Sequence, residues 1–397
     1  MQDHRRFMLR RLFEAVARTM WPWPINACLS GRKSMKVIRK TLNALGGVSL
    51  ATLMMASAAS AQEGSIPMGT GADMAGICGD KPTIVALVDG FGGDTWRKTA
   101  LAEMKDELSP CKNVTEVLYA DGAGDPAKTN SDINSLTAQG VNVMVIFPDF
   151  GPAMIPAIRS ATQAGVVTVP YNVNLGGNPG VDYSANVIQD FDAASEKWVG
   201  WVEKNVGEAN VLYFSGPAGN GFSANFMNGI KKAAASRPGI KLLQDTHVAT
   251  NWNPADAQKA TAGVIAQYPK IDAIMSDFGP VTIAVIRAFE QAGLKVPAVV
   301  SLASNNELNC MYMDAKKAGN AWPYYTIDGT TTQVRHAVRR GMAIYQGTED
   351  SDPLGMVATV FADSAAGVDP KCDPAAPLDA DLSGLLSPEQ MQDVFKQ

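Results

Sequence analysis

The sequence is short of the residues that metal centres and hydrolytic triads use most. It has three histidines in 397 residues, and only His247 and His336 lie beyond the first few positions. These two are far apart, and neither stands beside a Cys-x-x-Cys pair or a cysteine cluster. Zinc sites need several such ligands at short spacings. We therefore expect no metal site.

Enzyme motifs are also scarce. No serine stands in a G-x-S-x-G sequence, and the glycine-rich segment 216–221 lacks both the G-x-G-x-x-G spacing and a Walker lysine. That segment could still hold an anion on backbone N–H groups at the start of a helix. Asp94 and Asp149 could act as the paired carboxylates of a glycosidase, but the same residues serve binding equally well. We expect no enzyme and no cofactor.

Positive charge is scarce outside the first 61 residues. That segment holds ten Lys and Arg against two acidic residues, so the rest of the chain has 24 basic and 37 acidic residues and a net charge of −13. Nucleic-acid binding depends on Lys and Arg neutralising phosphates. We therefore expect no nucleic-acid partner.

The first 61 residues have the order of an export signal. Five basic residues between positions 32 and 40 precede an apolar stretch, 42–55, and the sequence Ala-Ser-Ala at 59–61. We assign 1–61 to an N-terminal extension and signal peptide, cleaved after Ala61. An uncleaved anchor is the alternative, but the stretch falls short of the roughly 20 residues that span a bilayer. Residues 1–34 are either an over-extended start, since Met35 could begin the signal, or a processed extension.

Four cysteines remain beyond the predicted cleavage site. An even number in an exported chain predicts two disulfides. Cys78 precedes the first predicted strand and Cys111 precedes the second, at the amino ends of neighbouring parallel strands. We therefore expect a Cys78–Cys111 disulfide, which leaves Cys310 to pair with Cys372.

From Lys81 onward, short β-branched strands alternate with helices. The first unit has strands at 83–88, 114–120, 141–147, 166–171 and 180–186, and a similar unit starts with a helix at 190–205. This alternation predicts an α/β fold of two similar lobes, each a parallel sheet with helices on both faces. We place 81–187 and about 327–355 in the N-terminal lobe, and about 188–326 and 356–397 in the C-terminal lobe.

Carboxylates, amides and aromatic rings recur directly after the predicted strands, where open parallel sheets bind ligands. Such residues suit a polyhydroxyl ligand, because amides and carboxylates bond to hydroxyls while rings cover C–H faces. Each Asp or Asn alone has another role open to it, as a helix cap or turn residue. The candidates from this pattern are Asp94, Trp96, Asp149, Tyr171, Asn172, Asn225, Trp252, Asp277 and Asp328.

Several segments together resemble a known family. They include TIVALVDGFGGDTW, VNVMVIFPDF, VLYFSGPAGNGFSANFMNGI and IDAIMSDFGPVTIAVIRAFEQAGL. From about Lys81 to its end the chain resembles the ribose-binding-protein-like periplasmic receptors of sugar ABC transporters, the type I periplasmic binding proteins. Lactose-repressor-type regulators share this core, but no helix-turn-helix precedes it here.

The resemblance implies two lobes, joined by three crossovers, that close over a small solute. It implies a monomer in the periplasm that delivers this solute to the permease and ATPase of an ABC importer. Trp96 and Trp252 match stacking aromatics of the family. The resemblance places polar ligand contacts at Asp149, Tyr171, Asn172, Asp277 and Asp328.

The chain departs from the family at two places. Ser223, Ala224 and Asn225 stand where an arginine is frequent, and 303–305 replace the usual aspartate after VVSL. Without an arginine fork, a polyol, a modified sugar or another small polar molecule fits better than a standard aldopyranose, and the acidic cleft disfavours anions. A sensor for a chemoreceptor or histidine kinase is one alternative function, and an exported hydrolase is another.

Overall fold

The computed structural model of the protein describes residues 64–396. The predicted signal peptide and its cleavage site after Ala61 lie outside these residues. Among the residues described, no helix is both long enough and apolar enough to cross a membrane. Within the same range, no group of three or more His, Cys, Asp or Glu side chains is placed to hold a metal ion.

Fourteen strands in this range form two sheets. In chain order the strands are β1 Ser65–Pro67, β2 Thr83–Asp89, β3 Val114–Asp121, β4 Val143–Ile146, β5 Val167–Asn172, β6 Val187–Gln189, β7 Ala209–Ser215, β8 Ile240–Leu242, β9 Val248–Ala249, β10 Ala273–Ser276, β11 Ala298–Ser301, β12 Tyr324–Asp328, β13 Gly355–Val357 and β14 Thr359–Asp363. The first sheet has the order β1-β13-β6-β5-β4-β2-β3 and is parallel throughout. The second has the order β14-β12-β11-β10-β7-β8, with β9 on β7, and only β14 is antiparallel.

Helices cover both sheets and follow most of the strands. They are α1 Met74–Ile77, α2 Thr95–Glu107, α3 Pro126–Ala138, α4 Ile155–Gln163, α5 Phe191–Asn205, α6 Gly221–Ala235, α7 Pro254–Gln267, α8 Gly279–Gln291, α9 Asn306–Lys317, α10 Gln333–Gln346 and α11 Pro388–Lys396. Every residue of β4, β5, β10 and β11 is buried, as expected for parallel strands with helices on both faces. The fold is the predicted α/β fold of two similar lobes.

The chain passes between the lobes at three crossovers. The first lies at Asp190, between β6 and α5, and the second at Gly329, between β12 and a 3₁₀ turn at Thr330–Thr332. The third is Ala358, a fully buried residue that separates β13 of the first sheet from β14 of the second. The carboxyl ends of both sheets therefore face a common cleft.

The segment after β14, which we call the tail (364–396), connects the lobes a fourth time. Its Ala380 carbonyl accepts the backbone N–H of Asn306 at 2.8 Å in the second lobe. The adjacent residue, Asp381, accepts from the Thr331 hydroxyl at 3.0 Å, on the 3₁₀ turn that packs against α2. The tail then ends in α11, which contacts α2 of the first lobe. The tail therefore has contacts in both lobes.

The four cysteines form two disulfides. Cys78 bonds to Cys111, with α-carbons 5.0 Å apart, and Cys310 of α9 bonds to Cys372 of the tail, with α-carbons 4.8 Å apart. The pairing is the one expected from the order of the strands. The first disulfide lies within the first lobe and the second fastens the tail to the second lobe.

One predicted strand is wrong. Residues 180–186 form a loop, and the strand that follows is β6. Turn hydrogen bonds take the place of a strand ladder in the first half of that loop, where the N–H groups of 180–182 bond to the carbonyls of Tyr183 and Asn178. The buried Asn186 side chain fastens the end of the loop to the preceding segment: it accepts from the N–H of Leu175 and donates to the carbonyls of Pro170 and Val173.

Candidate functional site

A cavity of about 260 Å³ lies between the lobes, at the carboxyl ends of both sheets. Aromatic rings make up much of its wall: Phe91, Trp96, Phe147, Phe222, Trp252 and Phe278. Its polar side chains are Asp94, Arg97, Asn172, Gln189, Asn251, Asp277, Thr330 and Gln333. Five of the nine residues predicted for the ligand line this cavity: Asp94, Trp96, Asn172, Trp252 and Asp277.

Trp96 is held at the cavity by its place in the first turn of α2. Asp94 begins that helix as its N-cap and accepts the backbone N–H of Arg97 at 2.8 Å. The Trp96 indole Nε1 donates to the Thr330 hydroxyl at 2.9 Å, and its ring meets Phe147 edge to face at 5.7 Å. The indole N–H is therefore occupied, and the ring offers only its apolar surface to a ligand.

Trp252 is fixed on the opposite lobe by a similar bond. Its indole Nε1 donates to Asp277 at 3.0 Å. Its backbone has φ of +49°, in the left-handed region, and its ring packs on the backbone of Gly216, where a Cβ atom would stand 2.6 Å from the ring. A glycine at 216 is thus required for the ring to lie where it does.

Asp277 connects three residues of the second lobe through hydrogen bonds. One of its oxygens accepts from Trp252, and the other accepts from the Tyr213 hydroxyl at 2.5 Å and from the Ser215 hydroxyl. Burial raises the pKa of Asp277, while these three donors lower it. The carboxylate borders the cavity, and three donors of the second lobe hold it in place.

Arg97 forms the floor of the cavity on the first lobe. It donates to Asp89 at 2.8 Å and to Asp149 at 2.7 Å, and its guanidinium lies 3.7 Å from the centre of the Phe147 ring. Burial raises the pKa of Asp89 to about 6 despite this neighbour. Two buried carboxylates thus neutralise the arginine, which makes the site a poor anion receptor.

Three buried amides leave hydrogen-bonding atoms unused at the cavity. Gln333 donates to Gln189 at 3.2 Å, across 144 positions of sequence. Within the described residues, Asn172 Oδ1, Gln189 Nε2 and Gln333 Oε1 have no partner. Each side chain belongs to a residue less than 5% exposed. Unpaired buried polar atoms are costly and usually have a partner. Two acceptors and one donor therefore lie unpaired in residues that line the cavity.

Four predicted ligand residues lie outside this cavity. Asp149 is buried beneath Arg97, and Tyr171 is buried against Phe147, with ring centres 5.3 Å apart. Asp328 is fully buried and accepts from the backbone and hydroxyl of Ser304 at 2.7 and 2.8 Å. Asp149 and Asp328 are hydrogen-bonded inside the protein, whereas the buried Tyr171 hydroxyl has no partner among the described residues. None of the three lines the cavity.

The fourth residue, Asn225, lines a separate cleft. This second cleft has a volume of about 440 Å³ and also contains Asn174 and Asp190. Gln189 borders both the cavity and the second cleft. Asn225 faces this second cleft because it lies one turn into α6, past the Phe222 that lines the cavity.

Sequence reasoning did not select Arg97, Phe147, Gln189, Thr330 or Gln333. Arg97 and Gln333 project from the first turns of helices, and Gln189 and Thr330 lie at crossovers. A search of helix first turns and crossovers, in addition to strand ends, would have included them. Many of the polar residues after strands instead begin helices as N-caps, as Asp125 and Asn220 do.

Comparisons with known proteins identify relatives of the chain. Residues 84–326 match the family model described as a periplasmic binding protein domain. A xylitol-binding protein of Mycolicibacterium smegmatis is 26% identical over 194 residues, 48% of this chain and 54% of that protein. The alignment therefore spans about half the length of that relative.

Solved structures share the fold. One is the periplasmic binding protein of the arabinose ABC transporter of Shewanella sp. ANA-3, bound to L-arabinofuranose, with 18% identity, a TM-score of 0.59, and coverage of 70% of this chain and 90% of that one. Another is a Caulobacter myo-inositol-binding protein with its ligand, also at 18% identity and a TM-score of 0.59, with coverage of 75% and 95%. At this identity the likeness concerns the architecture.

Proposed function

Because the chain belongs to the periplasmic binding protein domain family, we propose that it is a solute receptor without catalytic activity. It binds a small neutral polyol or sugar-like molecule between its lobes and delivers it to the permease and ATPase of an ABC importer. The observation that carries this proposal is the set of unpaired buried amide atoms on Asn172, Gln189 and Gln333 beside facing aromatic rings. Hydroxyl groups both donate and accept, so one polyol satisfies all three.

The charges of the site disfavour an anionic ligand. Arg97 is paired with two aspartates, and two further carboxylates, Asp94 and Asp277, line the cavity. An anion would therefore lose its hydration without meeting a free positive charge. The xylitol-binding relative and the sugar- and inositol-bound structures are consistent with this ligand class.

A thermal-shift screen of sugars, polyols and polar metabolites tests the proposal. A ligand at 100 times its dissociation constant adds about 2.7 kcal/mol to the free energy of unfolding. Gln333→Ala should abolish most of the shift, whereas Gln258→Ala, on the exposed face of α7, should leave it unchanged. A compound recovered chemically altered, or equal shifts in both variants, would contradict a receptor with this site.

The location of the protein is part of the same proposal. The mature chain begins at Gln62 in the periplasm, after removal of the signal peptide. Sequencing the amino terminus of protein recovered from a periplasmic extract tests this directly. A mature chain that retains residues before Ala61 would contradict it.

The lobe boundaries are also a proposal. The first lobe comprises about 64–189, 329–357 and 385–396, and the second comprises 190–328 and 359–384. Ligand contacts with both lobes exist together only in a closed state, so ligand binding favours closure. Small-angle scattering should show a smaller radius of gyration once a ligand from the screen is added, and an unchanged radius would indicate a rigid pair of lobes.

A further inference from the structure

The two lobes face the cavity with different chemistry. The wall contributed by the second lobe consists mainly of Pro217, Phe222, Trp252, Phe278, Leu302 and Ala303. We call these six residues the apolar wall. The free polar atoms described above all belong to the first lobe or to the crossovers.

Two polar residues accompany the apolar wall, and each already makes hydrogen bonds within the second lobe. Both oxygens of Asp277 accept hydrogen bonds from Trp252, Tyr213 and Ser215. Asn251 is exposed and donates to Asp256 at 2.8 Å. Within the described residues, no buried side-chain atom of this wall lacks a partner.

A hydroxyl group placed against the six residues of the apolar wall, out of reach of Asp277 and Asn251, would lose its hydrogen bonds to water without replacement. Such a loss is unfavourable, whereas an alkyl group in the same position gains from leaving water. The opposite edge of the cavity has the reverse preference, because Asn172, Gln189 and Gln333 there require partners. A ligand that satisfies both sides must itself be divided into a polar edge and an apolar edge.

We propose that the ligand is a neutral polyhydroxyl compound with an apolar substituent, such as an alkyl, alkoxy or thioalkyl group, on the edge away from its hydroxyls. This inference rests on the proposed function and narrows its ligand class. The hydroxyls bind the three amides of the first lobe and crossovers. The substituent lies against the apolar wall, so the second lobe closes on the ligand through apolar contact.

Titration calorimetry with matched pairs of compounds tests this. Suitable pairs are D-ribose with 5-deoxy-D-ribose, D-galactose with 6-deoxy-D-galactose, and D-xylose with methyl β-D-xylopyranoside. The apolar member of at least one pair should bind roughly tenfold tighter than its parent, or more, the range known for one methyl-sized group in a pocket. Tighter binding of the parent in every pair would overturn the inference and leave the proposed function standing. An absence of binding by every compound, and by the polyols of the wider screen, would overturn both.

A variant tests whether the apolar wall causes the preference. Phe278 is the N-cap of α8 but makes no side-chain capping bond there. Phe278→Asn supplies a favoured cap, so it should fold, and its free amide N–H₂ faces the cavity. The preference for the apolar member should fall at least about fivefold, since a wrong polar contact of this kind costs on that order. Val360→Asn, on an exposed position of β14, should keep the full preference. A preference unchanged by Phe278→Asn would overturn the assignment to this wall.

Discussion

Trp252 donates its indole N–H to Asp277 at 3.0 Å, although the two residues are 25 positions apart and follow different strands. The bond fixes the direction of the ring, and Gly216 fixes its height above the sheet edge. Asp277 is in turn held by Tyr213 and Ser215. The Trp252 ring is therefore held in place by the protein alone, and a ligand that stacks on it, as we propose, meets a lower ordering cost of binding.

Gly216→Ala should weaken ligand binding by about tenfold, because the added methyl group forces the Trp252 ring away from its position. Gly221→Ala is the matched control, since a Cβ atom there meets open space. Titration calorimetry gives the affinities, and tryptophan fluorescence reports the ring. Equal affinities in the two variants would show that the ring position does not matter for binding.

Trp96→Ala should weaken ligand binding by about 2 kcal/mol, as expected for a buried aromatic anchor. Trp96→Phe keeps an aromatic face but loses the bond to Thr330, so it should recover part of the loss. Ligand-induced quenching of tryptophan fluorescence should shrink in both variants. Full affinity in Trp96→Ala would remove this residue from the site.

Arg97→Gln should destabilise the protein by roughly 3–5 kcal/mol, the cost of leaving buried charges without their partner. The charges concerned are Asp89 and Asp149, both fully buried. Lys232→Gln is the control: Lys232 and its partner Asp192 are both exposed, so the loss should be far smaller than for Arg97→Gln. Urea unfolding measures the free energy of unfolding of both variants. Similar losses in the two would contradict the stabilisation of buried carboxylates by Arg97.

The sequence located the strands well because their signal is local. The strands predicted at 83–88, 114–120, 141–147 and 166–171 match β2, β3, β4 and β5 to within two residues at each end. The loop at 180–186 was missed because its order depends on the side chain of Asn186, whose partners lie in other segments. The pattern of residues within 180–186 carries no information about hydrogen-bond partners elsewhere in the chain.

The residues of the candidate site also fall into two groups, those that the local sequence indicates and those that depend on distant parts of the chain. Trp96 and Trp252 were found because each follows a strand that ends at the cleft. The Gln189–Gln333 pair was not, because it joins a crossover to a helix 144 positions away. Asp149 follows a strand as predicted, yet it turns toward Arg97 and away from the cavity. Chain position thus predicted which residues come near the cleft, but not which way each side chain turns.

Asp328 and Asp381 are neighbouring buried carboxyl groups, and the protein should lose stability there as the pH rises. Burial raises the pKa of both, and the charge of Asp381 raises that of Asp328 further. The contribution of these two groups to the free energy of unfolding is fully present below the ordinary carboxyl pKa of about 4. It is lost as the pH rises through their raised pKa values. Lys371 lowers the pKa of Asp381 but does not cancel the effect of burial.

Asp381→Asn should therefore raise the melting temperature relative to the unaltered protein, and by more at pH 8 than at pH 5. The amide oxygen can still accept from Ser383, as the carboxylate does at 2.8 Å. Thermal melts at both pH values measure the difference. A difference that is the same at pH 5 and pH 8 would contradict the repulsion between the two carboxyl groups.

Replacement of both Cys310 and Cys372 by serine should lower the free energy of unfolding by roughly 2–4 kcal/mol. This disulfide closes a separation of 62 residues, against 33 for Cys78–Cys111. The loss should exceed that of the corresponding Cys78 and Cys111 variant by about half a kcal/mol in the loop-entropy model. Urea unfolding compares the two, and non-reducing peptide mapping checks the pairing. Four free thiols in periplasmic protein would contradict both disulfides.

The tail limits how the lobes can move. Ala380 and Asp381 are consecutive, yet one is bonded to the second lobe and the other to the first. One residue spans at most about 3.6 Å, so the lobes cannot slip past each other at this point while both bonds remain. A swing about an axis through the same point leaves both bonds intact. The tail is therefore a fourth link beside the three crossovers, and while both bonds remain it permits relative rotation of the lobes at this point but holds their relative translation to a few ångströms.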